Sequence, residues 1–179
     1  MDKRTPALLL TALMGLSQCK KNDPVPNGPA NQLPPATQTG ANTFGCLVNG
    51  QVWTPSGSDG TSNYSIYYDK GYHNGTLNIS AYRYGSSSTN SKQLITIYSD
   101  SLHAIGNYTL TKDGHQEALF KDRSTGCEFF GGVYYRRGTL TISRLDLQAG
   151  VISGTFAFTL YKPGCDSIRV TQGRFDKKL

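Results

Sequence analysis

From Thr43 onward, apolar and polar residues alternate in short runs, and clusters of Gly, Asn, Asp and Ser separate the runs. A period of two puts every second side chain on one face of a strand, so this pattern predicts strands joined by turns. Thr43–Val48, Asn49-Gly50 and 51–54 predict a hairpin, because both central residues of a type I′ turn need positive φ, which Asn-Gly tolerates. Phe44, Cys46 and Val48 share one face of its first strand. In Val151–Tyr161, Ile152, Phe156, Phe158 and Leu160 point one way, with Gly154 between them. Ser153, Thr155, Ala157, Thr159 and Tyr161 point the other. One apolar and one polar face predict an antiparallel sheet.

Two runs change phase. Over 139–147, Leu140 and Ile142 hold even positions but Leu145 and Leu147 odd ones. Over 167–175, Ile168 and Val170 are even and Phe175 is odd, with Gly173 between. A bulge shifts the facing by one residue, and glycine often marks it. Further strands are predicted over 64–68, 76–84, 93–99, 107–112, 117–121 and 128–135, and no segment has a sustained helical period. The expected fold is all-β: a single antiparallel β-sandwich or flattened β-barrel over residues 43–179.

The N-terminus follows a different pattern. Lys3 and Arg4 precede an apolar run over 7–17, and Cys19 follows. A basic start and about eleven apolar residues suit a secretory signal, and the run is too short for the roughly 20 residues of a spanning helix. Leu16 and Ser17 before Cys19 match a bacterial lipoprotein signal, whereas Gln18 is larger than the usual small residue. Residues 1–18 are therefore expected to be a signal peptide, and Cys19 the lipidated first residue of the mature chain. Residues 19–42 hold five of the eight prolines and few large apolar residues, which predicts a disordered linker. The expected location is the cell envelope, with the chain exported and tethered to a membrane.

The formal net charge is +6, but the basic residues are scattered, with Arg136-Arg137 and Lys177-Lys178 the only adjacent pairs in the strand-rich part. A nucleic-acid partner would call for a clustered stripe and is not expected. Export permits disulfides. With Cys19 lipidated, Cys46, Cys127 and Cys165 allow three pairings. Cys127–Cys165 is favoured because each follows a glycine beside a predicted strand end, whereas Cys46 lies on an apolar face as a small hydrophobe.

Candidate chemistry is sparse. His73, His103 and His115 have no metal-ligand spacing, so no metal or other cofactor is expected. Lys112-Asp113-Gly114-His115-Gln116-Glu117 brings Asp113, His115 and Glu117 close in sequence, but Asp-Gly is also a turn signal. No nucleophile elbow, P-loop or dinucleotide fingerprint occurs. Tyr64, Tyr67, Tyr68, Tyr72, Tyr82 and Tyr84 cluster in one third of the chain. Over 76–84, Leu77, Ile79 and Ala81 take one face, and Asn78, Ser80, Tyr82 and Tyr84 the other. A polar face carrying Tyr82 and Tyr84 suits stacking on sugar rings or a partner protein, although tyrosine also favours half-exposed strand positions for its own sake.

Four stretches carry a resemblance: Cys19-Lys-Lys-Asn-Asp, Thr43-Phe-Gly-Cys-Leu-Val-Asn-Gly-Gln-Val-Trp-Thr-Pro, Ile152-Ser-Gly-Thr-Phe-Ala-Phe, and Thr171-Gln-Gly-Arg-Phe-Asp. Together they resemble a group of Bacteroidota lipoproteins with a domain of unknown function. The resemblance implies a lipid anchor and a β-rich domain, and it supplies no catalytic residues. The function expected is a non-enzymatic envelope binding module for a glycan, a protein or a small ligand. The alternatives are a hydrolase with a loop-assembled site and a small-ligand carrier with a barrel-like interior.

Overall fold

A computed structural model of the protein describes residues 32–84, 91–112, 114–131 and 135–179. The expected signal peptide over 1–18, Cys19 and the first part of the expected linker lie outside the described residues. Eleven strands are described: β1 (Thr43–Val48), β2 (Gln51–Trp53), β3 (Tyr64–Asp69), β4 (Thr76–Tyr84), β5 (Lys92–Ser99), β6 (Gly106–Thr111), β7 (Gln116–Asp122), β8 (Cys127–Phe129), β9 (Tyr135–Asp146), β10 (Val151–Tyr161) and β11 (Ile168–Lys178). They form a six-stranded sheet in the order β2-β1-β11-β10-β9-β6 and a five-stranded sheet in the order β3-β4-β5-β7-β8. All the ladders are antiparallel. The sheets face each other across one core, which is the sandwich alternative of the predicted all-β class.

Local sequence explains most of this. Asn49 and Gly50 have φ values of 48° and 81°, so the hairpin closes through the positive-φ turn that Asn-Gly favours. Both phase changes are bulges. In β9, Ile142 pairs with Gly154 and Arg144 with Ser153, which leaves Ser143 as the extra residue. In β11, Phe156 pairs with Gly173 and Phe158 with Val170, so the extra residue falls among 171–172. Gln172, with φ 52°, makes this turn in the backbone. Gly173 serves a different purpose: a Cβ there would lie 2.3 Å from the Phe156 ring. Phe156 thus covers Gly173, while on the neighbouring pair Phe175 covers Gly154. The segment expected over 128–135 divides into β8 and the start of β9.

The core is aromatic at its centre. The Phe44 ring lies 5.8 Å from Trp53, 5.3 Å from Tyr64 and 5.2 Å from Phe156, and so joins the two sheets. Trp53 is fully buried, and its Nε1–H donates across the sandwich to Gln93 Oε1 at 3.0 Å. Such pairing is what a buried indole needs to offset its desolvation.

One expectation is corrected. Residues 32–42 belong to the segment expected to be a disordered linker, yet they form a strap bound to the six-stranded sheet. Leu33 is buried, and Pro34 fits against Gly45, where a Cβ would come within 2.7 Å of its ring. The Asp176 carboxylate accepts the backbone N–H groups of Thr39, Gly40 and Ala41 at 2.8–3.0 Å. It also accepts hydroxyls from Thr37 and Ser153, each at 2.7 Å. Gly40, at φ 77°, turns the strap so that successive N–H groups converge on one anion. Composition reports the lack of apolar residues in the strap, but not a carboxylate waiting on a strand more than a hundred residues away.

Burial opposes ionisation of Asp176, but the hydrogen bonds from Ser153, Thr37, Ala41 and Thr39 outweigh it and hold the carboxyl well below the usual range. A depressed folded-state pKa stabilises above the unfolded value of roughly 4, and the gain is lost as pH falls through the folded value. Asp176→Ala is therefore expected to lower stability at pH 7 by about 1–3 kcal/mol, since the buried Ser153 hydroxyl and several partly buried strap donors lose their acceptor. The penalty should shrink as pH drops below about 4. Denaturant melts at pH 7 and pH 3 check this, and an equal penalty at both would count against the carboxylate's role.

Candidate functional site

The tyrosine face is built around the loop between β2 and β3. Tyr82 is buried, and its hydroxyl lies 2.8 Å from both Asp59 Oδ1 and Thr61 O. Lys92 covers its ring at 4.2 Å and pairs with Asp59 at 2.6 Å. The hydrogen bond from Lys92, then those from Thr61 and Tyr82, hold the Asp59 carboxyl well below its usual range. Tyr82 therefore serves as the post to which this loop is tied, and it presents no open ring to a ligand. That corrects its expected role: a polar strand face is not a wet one where a loop covers it.

Tyr84 is half-buried against Gly57 and borders an open cleft of about 360 Å³ with Arg83, Gln93, Ser91 and Ser124. Arg83 donates to Gln93 Oε1 at 2.8 Å and Val52 O at 3.0 Å, and its guanidinium lies 5.4 Å from the Trp53 ring centroid. Gln93 in turn donates to Asp122 at 2.6 Å. This chain of contacts occupies Arg83 in holding the sheets together.

The three histidines gather at one end of the sandwich. His115 Nδ1 lies 2.8 Å from Asp100 Oδ1, and His73 Nδ1 lies 3.8 Å from Asp100 Oδ2. His103 contacts Asn74 at 3.4 Å. The sequence motif itself does not converge: Glu117 faces the buried Arg136 at 3.7 Å, and Asp113 lies outside the described residues. Among the described residues, no group of three or more His, Cys, Asp or Glu side chains could hold a metal ion.

Cys127 and Cys165 form a disulfide with Cα atoms 5.9 Å apart. It joins β8 of one sheet to the β10–β11 connection of the other. Cys46 is fully buried, and burial pushes its thiol up to about 12, against the opposing influence of Arg83, so it is no nucleophile. Trp53, Phe120, Phe129 and Phe175 fill the space between the sheets, where a carrier would hold its ligand.

A further cleft, of about 460 Å³, opens between the strap, β1 and the β2–β3 loop. Among its wall residues are Thr43 and Tyr64, whose hydroxyl oxygens are shut off from solvent and have no hydrogen-bond partner. Burial first, and then nearby Asp176, push the Tyr64 phenol well above its usual value, so it stays a protonated donor. Buried polar groups are nearly always paired, so these two orphans stand out, but the cleft is a candidate binding site by its size and its polar wall. Sequence reasoning missed them, since Thr43 and Tyr64 have the pattern of ordinary strand residues. The strap that completes the cleft was also unforeseen.

The chain belongs to a family defined by a domain of unknown function, DUF6252, whose model matches residues 49–177. No curated protein and no solved structure matches the chain.

Replacing Cys127 or Cys165 with Ser is expected to cost roughly 3–4 kcal/mol, the chain-entropy value for a loop of this length. Chemical denaturation under oxidising conditions checks it. Native Cys46 should resist thiol reagents until the sandwich unfolds, as an alkylation time course would show.

Proposed function

We propose that this DUF6252 member is a lipoprotein of the Bacteroidota type, exported and held at the cell envelope by lipid on Cys19. Its β-sandwich then acts as a non-enzymatic binding module. The basic start, the short apolar run and the residues before Cys19 support the anchor. The Cys127–Cys165 bridge suits an oxidising compartment.

The observation that carries the binding reading is the open strap cleft, with Gln32, Asn42, Ser62 and Asn63 among its wall residues. A site of this size lies within the roughly 300–1,000 Å³ usual for small ligands. The strap lies on the N-terminal side of the domain, where a tether at Cys19 would hold the site close to the envelope. The ligand is then a small polar molecule, or the polar terminus of a larger one.

Cys19→Ser should move the protein out of the membrane fraction and leave the thermal melt of the domain unchanged. A mutant that stays membrane-bound would overturn the anchor. For the site, a library of small polar compounds screened by NMR should give hits that shift the amides of residues 42–44 and 62–64. Hits confined to other surfaces would remove the cleft from consideration.

A further inference from the structure

The outward face of the six-stranded sheet has charge of one sign. Beyond the strap it is formed by 106–111, 135–141, 155–161 and 168–174 of β6, β9, β10 and β11, and these segments contain no Asp or Glu. Arg137 and Arg169 are exposed there, and Arg174 is half-buried. At the strap end, Asp176 is engaged by strap donors and Ser153, and Asp146 by Arg144. Asp166 borders a different cleft, beside Cys127 and Ile168. Lys112 and Asp113, next after β6, cancel in formal charge.

Register sets the polar side chains in rows. Asn107, Thr141, Thr155 and Arg174 are successive partners across four strands, and so are Thr111, Arg137, Thr159 and Arg169. Thr109, Thr139 and Ala157 lie between these rows, and the exposed Tyr135 and Tyr161 pair beyond the second. Thr141 donates to Asn107 at 2.7 Å. Among the described residues, the hydroxyls of Thr139, Thr155 and Thr159 and the guanidinium groups of Arg137 and Arg169 have no protein partner. Arg174 is held to Pro34 O and Gln172 O, at 3.3 and 3.2 Å. With Ala36 and Gln172 it borders a shallow depression of about 410 Å³ over Thr139, Thr141 and Thr155.

Arg137 and Arg169 flank Thr159 from the two neighbouring strands, so their backbones are roughly 10 Å apart. That spacing calls for a ligand with repeated negative charge rather than a single acid. A guanidinium recognises a carboxylate by paired hydrogen bonds, threonine hydroxyls exchange hydrogen bonds with ligand hydroxyls, and tyrosine rings cover C–H faces. A membrane surface would satisfy the charge, but interfacial segments carry large apolar side chains where this face has threonine.

We infer that this face binds an acidic polysaccharide, its uronate carboxylates on Arg137 and Arg169 and its hydroxyls on the threonine rows. The surface is separate from the strap cleft, and neither reading depends on the other.

The test is an NMR titration of the full chain, carrying Cys19→Ser so that no lipid contributes. The probes are tetragalacturonate and tetramannuronate, with maltotetraose as the neutral control. At least one uronate should saturably shift the amides of 139–141 and 155–157. It should bind tenfold or more tightly than maltotetraose, and less tightly as salt rises. Arg137→Gln with Arg169→Gln should weaken it about tenfold, and Thr139→Val with Thr155→Val about threefold. Melting temperatures should not change, since all four are surface positions. Equal binding of maltotetraose would overturn the acidic class. Poly-glutamate binding as tightly at these residues, or an unchanged affinity in the threonine variant, would overturn the sugar and leave an acidic protein as partner. Binding of phosphatidylglycerol vesicles without binding of either uronate would assign the face to a membrane and overturn the polysaccharide. Uronate shifts confined to 42–44 and 62–64 would move the sugar to the strap cleft and overturn this face alone. If no probe moves 139–141 and 155–157, the face is refuted as a site.

Discussion

A single buried carboxylate, that of Asp176, ties the N-terminal strap to the middle of the six-stranded sheet. An ionised group in this position would be costly alone, so its stability rests on complete hydrogen bonding. Three strap N–H groups and two hydroxyls provide it, and they come from opposite ends of the chain. The arrangement is reciprocal: the strap buries too little apolar surface to hold itself down, and the carboxylate could not remain ionised without the strap. The wall of the candidate cleft follows from this contact, because the strap forms one side of it.

The two sheets are then held by three different kinds of tie. Phe44 bridges them by packing, Trp53 and Gln93 by a hydrogen bond, and Cys127–Cys165 by a covalent bond. The first two are adjacent, since the Phe44 and Trp53 rings lie 5.8 Å apart. The Arg83–Gln93–Asp122 chain extends the polar tie toward the far edge. Its polar side chains serve mainly to close the fold.

Much of the fold was legible because strands obey a local rule. Period-two alternation identified nearly every strand, Asn49-Gly50 identified a turn, and the phase changes near Ser143 and Gln172 identified both bulges. The favoured cysteine pair was also correct, because strand ends lie close in space where sheets meet. The candidate site was far less legible. Tyr82 has a polar-face position but is covered by a loop, and His115 meets Asp100 rather than its sequence neighbours. Thr43 and Tyr64 stand out only because nothing pairs with their hydroxyls, a property of their surroundings rather than of their residue type.

The sequence by itself determined the all-β class, the facing of the strands with the clearest alternation, the hairpin turn and the bulges, because backbone pleat and turn preference act over a few residues. The expectation of an N-terminal signal rests likewise on local composition, a basic start followed by a short apolar run. Only the tertiary structure decided that the strap is bound, which tyrosine is covered, and where a cleft remains. Those outcomes depend on hydrogen-bond partners and packing contacts between residues tens to more than a hundred positions apart, which no local pattern encodes.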